Sequence, residues 1–311
     1  MEKIDLVTFG RLGHEFKNYI TSSHPEISIS FPLTEGELIS EIKKSNAYAG
    51  FNHLSNCDIS NLKWIHSFGA GVDSFLELDK LNESILISRT TGNLGRKIGE
   101  YCLAYILNNL KSVFPTFVNQ RHQHWEQQEQ KYLSDQKVLI LGTGHIGCGI
   151  ASVLKGLCSS ISGINRSNKC PEEFDSVFSF DQLEEIEKES FNIMINTLPK
   201  TKDTTSIISN KFIALFEKIQ FINVGRGDSV HPNVLIEGIK NKNIDKATLD
   251  VFESEPLDSN SELWNNSGID ITPHQSGLTS IEDVIASFEK SYHAMISGAT
   301  NSLFVNKSNG Y

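Results

Sequence analysis

Short apolar runs alternate with polar, helix-like stretches from the start of the chain to about residue 90. Runs rich in β-branched and aromatic residues predict strands at Ile4–Phe9, Ile27–Phe31, Ala47–Phe51, Leu62–Phe68 and Ile85–Ser88. Between them, Glu35–Lys44 carries apolar residues at helical spacing, and the Gly-rich turn Gly69–Asp73 predicts the start of a short helix. This repetition of strand, helix and strand predicts a parallel sheet.

A longer helical pattern begins at Gly95, and its apolar residues recur at helical intervals as far as Leu110. This pattern predicts a long helix that joins two domains. The polar stretch Asn119–Lys131 follows, with a single tryptophan at Trp125. We interpret this stretch as an arm that is either solvated or in contact with another subunit.

A second series of strands and helices follows the arm. Its predicted strands are Lys137–Leu141, Ser160–Ile164, Phe191–Asn196, Gln220–Val224, Lys246–Val251 and Asp270–Thr272. The fold class is therefore α/β, with two doubly wound parallel-sheet domains. The helical tail Ser280–Met295 is expected to return to the first domain. This would make the first domain discontinuous, with residues 1–94 and 280–311 on either side of a second α/β domain at residues 95–279.

Length, composition and charge narrow the class of protein. With 311 residues, 39% hydrophobic and 21% charged, the chain has the composition of an ordinary globular protein of two domains. Its formal net charge of −10 disfavours nucleic acid and anionic membranes as partners. We expect no signal peptide, because the sequence does not open with a basic region followed by a long apolar stretch, and its apolar runs are far shorter than the roughly 20 residues that span a bilayer. The five cysteines are scattered without CxxC spacing, so we expect no disulfide framework and a cytoplasmic location.

A glycine-rich loop follows the apolar strand that ends at Leu141. Its residues form a GxGxxG pattern: Gly142, Thr143, Gly144, His145, Ile146 and Gly147. Such a loop lets the backbone turn tightly and approach a pyrophosphate, which then lies at the N-terminus of the next helix. The alternative is a glycine-rich turn without a ligand. The apolar strand before the loop and the helical pattern after it favour dinucleotide binding.

The turn after the second strand of this series bears on the choice of dinucleotide. It reads Asn165-Arg166-Ser167, and no acidic residue appears before Glu172 to bond the 2′-hydroxyl of an NAD ribose. A guanidinium and a hydroxyl suit a 2′-phosphate instead. We therefore expect NADP(H) to be preferred and NAD(H) to be possible. The alternative is that Arg166 is only a solvated loop charge.

The histidines outside the late motifs give no catalytic or metal prediction. His145 lies within the glycine loop, where we expect it to border the cofactor without taking part in catalysis. His122 and His124 are two residues apart, so on a helix they would face different directions. No cysteine or carboxylate completes a zinc set with them, and we expect no metal site.

Three further segments carry charged residues at the ends of predicted strands. They read NVGRG at 223–227, LDVFESEPL at 249–257 and TPHQSG at 272–277. Ligands of open α/β sheets bind at the carboxyl ends of the strands. A lone Arg226, Glu255 or His274 would more often be a solvated charge. The ordered set of three favours a catalytic site.

Together these segments resemble the D-isomer-specific 2-hydroxyacid dehydrogenase family, whose late motifs read NxGRG, LDVFxxEP and TPHxxG in this order. Further similarity lies in LKWIHSFGAGVD at 62–73 and in NTLP at 196–199. The similarity covers nearly the whole chain. It implies a Rossmann nucleotide-binding domain at residues 95–279, inserted into a flavodoxin-like substrate domain formed by residues 1–94 and 280–311. The length and the FGAGVD segment are most similar to the glyoxylate/hydroxypyruvate reductase branch.

The resemblance implies a role for each motif residue. Arg226 would bind the carboxylate of a 2-oxoacid and polarise its carbonyl, since a planar guanidinium can do both. His274, as imidazolium, would give a proton to the alkoxide left by hydride transfer, and Glu255 would raise the pKa of His274. The backbone N–H groups of Ala70 and Gly71 would bind the substrate carboxylate.

The resemblance also implies a wider cofactor site and an assembly. Leu198 and Pro199 of the NTLP segment would border the cofactor. Asp250, at the end of its strand, would lie near the nicotinamide or near His274. The segment from Gly95 through Trp125 is similar to an arm that packs against a twofold mate, so we expect a homodimer.

These observations predict an oxidoreductase that reduces a small 2-oxoacid of the glyoxylate or hydroxypyruvate type to the D-2-hydroxyacid with NAD(P)H. The stereochemistry is implied by the resemblance alone. The alternative is a dinucleotide-sensing protein that acts like a corepressor through a partner surface, which the intact Arg226, Glu255 and His274 set disfavours. The preferred 2-oxoacid depends on side chains around Phe68 and Trp264, whose positions the sequence does not give.

Overall fold

Two parallel β-sheets with helices on their faces organise the chain. The computed structural model describes residues 3–79, 81–299 and 303–307. The chain divides into unit 1, which comprises Met1–Asn93 and Thr279–Tyr311, and unit 2, which comprises Leu94–Leu278. The predicted fold class, α/β with two doubly wound parallel sheets, is confirmed.

Unit 1 is built on a five-stranded parallel sheet. Its strands are β1 (Asp5–Phe9), β2 (Ser28–Ser30), β3 (Ala47–Gly50), β4 (Trp64–Ser67) and β5 (Leu86–Arg89). Its helices are α1 (Gly13–Ser23), α2 (Glu35–Ile42), α3 (Asp73–Leu76) and α10 (Ile281–Ser297). The strand order is β2-β1-β3-β4-β5, so β3 and β4 lie inside the sheet and are buried along their whole length.

The two faces of this sheet are covered by different helices, as a parallel sheet requires. One face packs against α1 and α10, where Phe16, Trp64, Phe68 and Phe288 form an aromatic cluster. The other face packs against α2 and α3. Phe68 is fully buried in the aromatic cluster, so it is a core residue and its ring does not line an open pocket.

Unit 2 is built on a seven-stranded parallel sheet. Its strands are β6 (Lys137–Leu141), β7 (Ser160–Ile164), β8 (Ser176–Phe178), β9 (Ile193–Asn196), β10 (Ile219–Asn223), β11 (Ile244–Leu249) and β12 (Ile269–Ile271). Its helices are α4 (Leu94–Leu110), α5 (Val113–Arg121), α6 (His145–Leu154), α7 (Leu183–Glu189), α8 (Asn210–Ile213) and α9 (Pro232–Lys240).

The strand order of unit 2 is β12-β11-β10-β9-β6-β7-β8. The chain runs outward from β6 to β8 and then returns to β9 on the other side of β6. The winding therefore reverses beside β6, and such a switch point is where open α/β sheets bind ligands. One face of the sheet packs against α4 and α6, and the other against α7, α8 and α9.

Two parts of the structure were not specified by the sequence pattern. The edge strand β8 was not predicted, because it has three residues and none of them is fully buried. The helix α5 leads into the predicted arm Asn119–Lys131; it has no buried side chain, and residues 122–132 after it form neither helix nor strand. Trp125, among these residues, is 98% exposed.

Candidate active site

The glycine loop joins β6 to α6 at the switch point. Gly142 has φ of +97°, and a β-carbon there would also lie 2.7 Å from Oγ1 of Thr197, so only glycine fits. A β-carbon on Gly147 would collide with the carbonyl oxygen of Gly142. At Gly144, in contrast, a β-carbon would meet no atom within 4 Å. The space beside Gly144, at the N-terminus of α6, fits a pyrophosphate.

The other predicted residues of this loop take distinct positions. His145 is exposed at the start of α6, and Ile146 packs partly into the core below it. Thr143 connects the loop to the turn after β7, because Nδ2 of Asn165 donates to its Oγ1 at 2.6 Å. The same amide donates to the carbonyl of Lys169 at 2.8 Å, which holds the Asn165 turn in place.

Arg166 and Ser167 are exposed in this turn. Nη1 of Arg166 lies 3.2 Å from Oδ2 of Asp203, and the two side chains are 59% and 71% exposed. Sequence reasoning missed Asp203, because it lies 37 residues further along the chain, in the loop after β9. Oγ of Ser167 lies 3.4 Å from Oδ1 of Asn165.

A buried amide network lies beneath the motif that carries Arg226. Nδ2 of Asn196 donates to Oδ1 of Asn223 at 2.8 Å and to Oγ of Ser229 at 2.7 Å. Nδ2 of Asn223 and Oγ of Ser229 then donate to the carbonyl of Arg226, at 3.2 and 2.7 Å. Through Asn223 and Ser229, Asn196 thus helps to hold the backbone of Arg226. The Oδ1 atom of Asn196 also accepts from Leu198 N–H at 3.2 Å.

The glycines on either side of Arg226 permit backbone-to-backbone packing. A β-carbon on Gly225 would lie 2.7 Å from the carbonyl oxygen of Leu198. One on Gly227 would collide with the backbone of Phe252, in the segment that leads to Glu255. Arg226 is therefore held between the NTLP loop and the loop after β11, with its side chain half-buried and Nη1 donating to the carbonyl of Gly225 at 2.8 Å.

Glu255 and His274 form a hydrogen-bonded pair. Nδ1 of His274 lies 2.7 Å from Oε2 of Glu255, and Oε1 of Glu255 accepts from Phe252 N–H at 2.9 Å. The backbone N–H of His274 donates to the carbonyl of Asp250 at 2.9 Å. The His274 ring is 51% exposed, and no described residue bonds to its Nε2. This second ring nitrogen is thus available to a ligand.

The charges of Arg226, Glu255 and His274 affect one another. The hydrogen bond that Glu255 accepts from His274 raises the pKa of His274 above its ordinary value, against the opposing effects of burial and of the Arg226 charge. Burial alone would raise the pKa of Glu255, but the hydrogen bonds from His274 and from Phe252 N–H outweigh it and lower that pKa. The pair therefore favours imidazolium beside carboxylate.

Asp250 is a fully buried carboxylate that shapes the turn carrying His274. Its Oδ1 accepts from Oγ1 of Thr272 at 2.6 Å and from Gln275 N–H at 2.9 Å. Its Oδ2 accepts from Ser276 N–H at 2.9 Å. Both oxygens therefore bond to the TPHQSG segment, and Asp250 acts on His274 through this turn. Its assignment to the cofactor site stays a prediction.

In unit 1, the predicted Gly-rich turn follows β4. Oγ of Ser67 donates to the carbonyls of Gly69 and Gly71, at 3.0 and 3.2 Å, which fixes the turn. Among the described residues, the N–H groups of Ala70 and Gly71 have no protein acceptor. Nη1 of Arg89, at the end of β5, donates to the carbonyl of Ala70 at 3.3 Å. Arg89 was missed by sequence reasoning, because no motif contains it.

Two other kinds of site are not found in the part of the chain that the structure describes. No group of three or more His, Cys, Asp or Glu side chains could hold a metal ion there. In the same residues, no helix is both long and apolar enough to cross a membrane.

Residues 103–276, more than half of the chain, match the family described as D-isomer specific 2-hydroxyacid dehydrogenase, NAD binding domain. The chain belongs to the D-isomer specific 2-hydroxyacid dehydrogenase family. The resemblance stated from the motifs is thereby confirmed, and this 2-hydroxyacid dehydrogenase is an NAD(P)-dependent oxidoreductase.

Relatives of this dehydrogenase cover most of its length. It is 29% identical to glyoxylate/hydroxypyruvate reductase A of Enterobacter sp. (strain 638) over 259 residues, which are 81% of this chain and 82% of that one. A family member from Xanthobacter autotrophicus Py2, solved with NADPH and MES, is 24% identical with a TM-score of 0.87 and full coverage of both chains. An NADPH-dependent glyoxylate/hydroxypyruvate reductase from Sinorhizobium meliloti, solved with NADP and sulfate, is 22% identical with a TM-score of 0.87 and covers 99% of this chain and 100% of its own. The two solved structures support the fold.

The contacts of Asp250 give a stability prediction for the dehydrogenase. Asp250→Asn keeps the shape but replaces one acceptor oxygen by an amide that faces a backbone N–H or a hydroxyl. We expect the free energy of unfolding to fall by about 1–3 kcal/mol, measured by denaturant titration. Asp245→Asn, at an exposed position on β11, the strand that precedes Asp250, is the control and should change this free energy by less than about 0.5 kcal/mol. Equal stability of the two variants would show that the Asp250 bonds do not hold the turn.

Proposed function

We propose that this dehydrogenase reduces a small 2-oxoacid of the glyoxylate or hydroxypyruvate type to the D-2-hydroxyacid, with NADP(H) as the preferred cofactor. The observation that carries the proposal is the hydrogen-bonded Glu255–His274 pair within electrostatic reach of Arg226. This group offers a proton donor and an anion-binding guanidinium together, which reduction of a 2-oxoacid needs.

The cofactor assignment rests on the glycine loop and on the turn after β7. The open space at Gly144 and the N-terminus of α6 suit the pyrophosphate, while Arg166 and Ser167 suit a 2′-phosphate. Two solved relatives of the same fold were crystallised with NADPH or NADP. When bound, NADPH would supply the hydride that reduces the carbonyl carbon.

The substrate carboxylate and carbonyl are assigned to fixed donors. Arg226 would bind the carboxylate and polarise the carbonyl, and its half-buried position between two loops would hold the guanidinium in place. The N–H groups of Ala70 and Gly71 would also bind the carboxylate. Arg89, bonded to the carbonyl of Ala70, would add positive charge beside this turn.

His274 would donate the proton that the developing alkoxide needs. Its Nε2 is the donor, because Nδ1 is already bonded to Glu255. The raised pKa of His274 would keep a larger fraction protonated near neutral pH. Glu255 would act as a positioning residue, since it fixes the ring and stabilises its charge.

The experiment that tests this function is an assay of 2-oxoacids with NADPH and with NADH, following nicotinamide absorbance. We expect glyoxylate or hydroxypyruvate to be reduced with a higher kcat/KM than phenylpyruvate, the bulky member of the set. NADPH should exceed NADH by about ten- to a hundredfold, the range of a charge-assisted phosphate contact. No turnover of any 2-oxoacid with either cofactor would refute the proposed function.

The Glu255–His274 bond gives a pH prediction. Because Glu255 raises the pKa of His274, Glu255→Gln should shift the loss of reductase activity at rising pH to lower pH. The readout is the pH profile of kcat/KM. Glu253→Gln, exposed in the same loop, is the control and should leave the profile in place. An unmoved profile for Glu255→Gln would mean that His274 is not the titrating donor.

We also propose that the segment from Gly95 through Trp125, which includes α5, mediates homodimerisation. Phe114, Phe117 and Val118 of α5 are each more than half exposed, and Trp125 is almost fully exposed. Apolar surface of this kind is typical of an interface. Sedimentation should give a dimer at micromolar concentration, which Phe117→Glu shifts towards monomer; Thr21→Glu, at an exposed position of α1 outside the arm, should not. A wild-type monomer would refute the assembly.

A further inference from the structure

We propose that Asp203 is a specificity-determining residue that weakens the preference of the cofactor site for a 2′-phosphate. The observation is the contact between Nη1 of Arg166 and Oδ2 of Asp203 at 3.2 Å. Arg166 is the residue to which the proposed function assigns the 2′-phosphate, so the inference rests on that assignment. The carboxylate and the phosphate would compete for one guanidinium.

The position of the pair in the sheet supports this role. β6 lies between β9 and β7, and the glycine loop follows β6. Arg166 lies in the turn after β7, and Asp203 lies in the loop after β9. The ion pair therefore joins the two turns that follow the neighbours of β6, where the adenosine end of a dinucleotide binds in such sheets.

Both ends of the pair are attached to ordered turns. The Arg166 turn is held by the bond of Asn165 to Thr143 at 2.6 Å. On the other side, Oγ1 of Thr204 donates to the carbonyl of Pro199 at 2.6 Å, and Thr204 N–H donates to the carbonyl of Thr201 at 3.2 Å. Asp203 lies within this turn. Its carboxylate is thus presented to Arg166 by the loop that begins with the NTLP motif.

The charges determine the direction of the effect. A phosphate monoester carries roughly −1.5 to −2 charges near neutral pH, and it would take the place of the carboxylate on Arg166 and then lie close to it. Repulsion from Asp203 and loss of the existing pair would both oppose binding. Because both side chains are mostly exposed, solvent screens these effects and they are moderate. A dinucleotide with a free 2′-hydroxyl meets neither penalty.

The test measures binding, without turnover, with two nucleotides that differ only in the 2′-phosphate. By titration calorimetry on the whole protein at low salt, Asp203→Asn should bind 2′,5′-ADP about three- to tenfold more tightly than wild type does, a range set by screened surface charges. Binding of 5′-AMP should stay unchanged. The gain in affinity for 2′,5′-ADP should be smaller at high salt.

Two further variants separate local pairing from a general charge effect. Asp245→Asn removes the same charge from an exposed position at the amino end of β11, away from the glycine loop, and should not change binding of 2′,5′-ADP. In the Arg166→Ala background, the gain from Asp203→Asn should be smaller, because the competition for the guanidinium is gone. A full gain in that background would refute the role of the pair.

The outcomes distinguish this inference from the proposed function. If wild type prefers 2′,5′-ADP and Asp203→Asn binds it equally or more weakly, Asp203 does not compete and only the inference fails. If wild type shows no preference but Asp203→Asn acquires one, the inference stands and the proposed NADP(H) preference fails. If neither protein prefers 2′,5′-ADP, both fail.

Discussion

Close backbone packing at the carboxyl edge of the seven-stranded sheet is the constraint on which the candidate site depends. The helix after β6 can start where it does only because Gly147 has no side chain to strike the carbonyl of Gly142. Likewise, Gly225 can lie against Leu198 and Gly227 against Phe252 only because neither glycine carries a side chain. The two glycines beside Arg226 thus bring three loops together, those that follow β9, β10 and β11. A β-carbon at any of these positions would force apart the loops that carry the candidate residues.

Buried polar side chains hold the loops in the arrangement that the glycines permit. Asn223 donates to the backbone carbonyl of Arg226 and is itself held by Asn196, while Asp250 accepts from the turn that carries His274. Each of these three side chains lies at or just after the end of a strand, so the sheet fixes its starting point. Unpaired, such buried groups would be destabilising, and paired they fix the geometry of a loop. The candidate side chains are therefore positioned by groups that need not touch a ligand.

Much of this arrangement was predictable from the sequence, because its elements are local. Strand patterns, the GxGxxG loop and the order of the late motifs are all contiguous segments, and parallel strands bring their carboxyl ends to one edge. Pairings between distant segments were not predictable. Asp203 meets Arg166, and Arg89 meets Ala70, only because neighbouring strands bring their loops together. The sequence also gave no sign that Phe68, although next to a glycine turn, is buried in an aromatic core.

The electrostatic balance around His274 follows from the two tasks proposed for the site. A guanidinium is needed to bind a carboxylate, yet the charge of Arg226 lowers the pKa of the nearby His274 and so opposes the protonated form. Glu255 reverses that effect through a direct hydrogen bond. In the proposed reaction, a substrate carboxylate on Arg226 would offset the guanidinium charge and raise the pKa of His274 further. By linkage, the protonated enzyme would then bind the 2-oxoacid more tightly than the deprotonated one, so that anion binding and proton loading support each other.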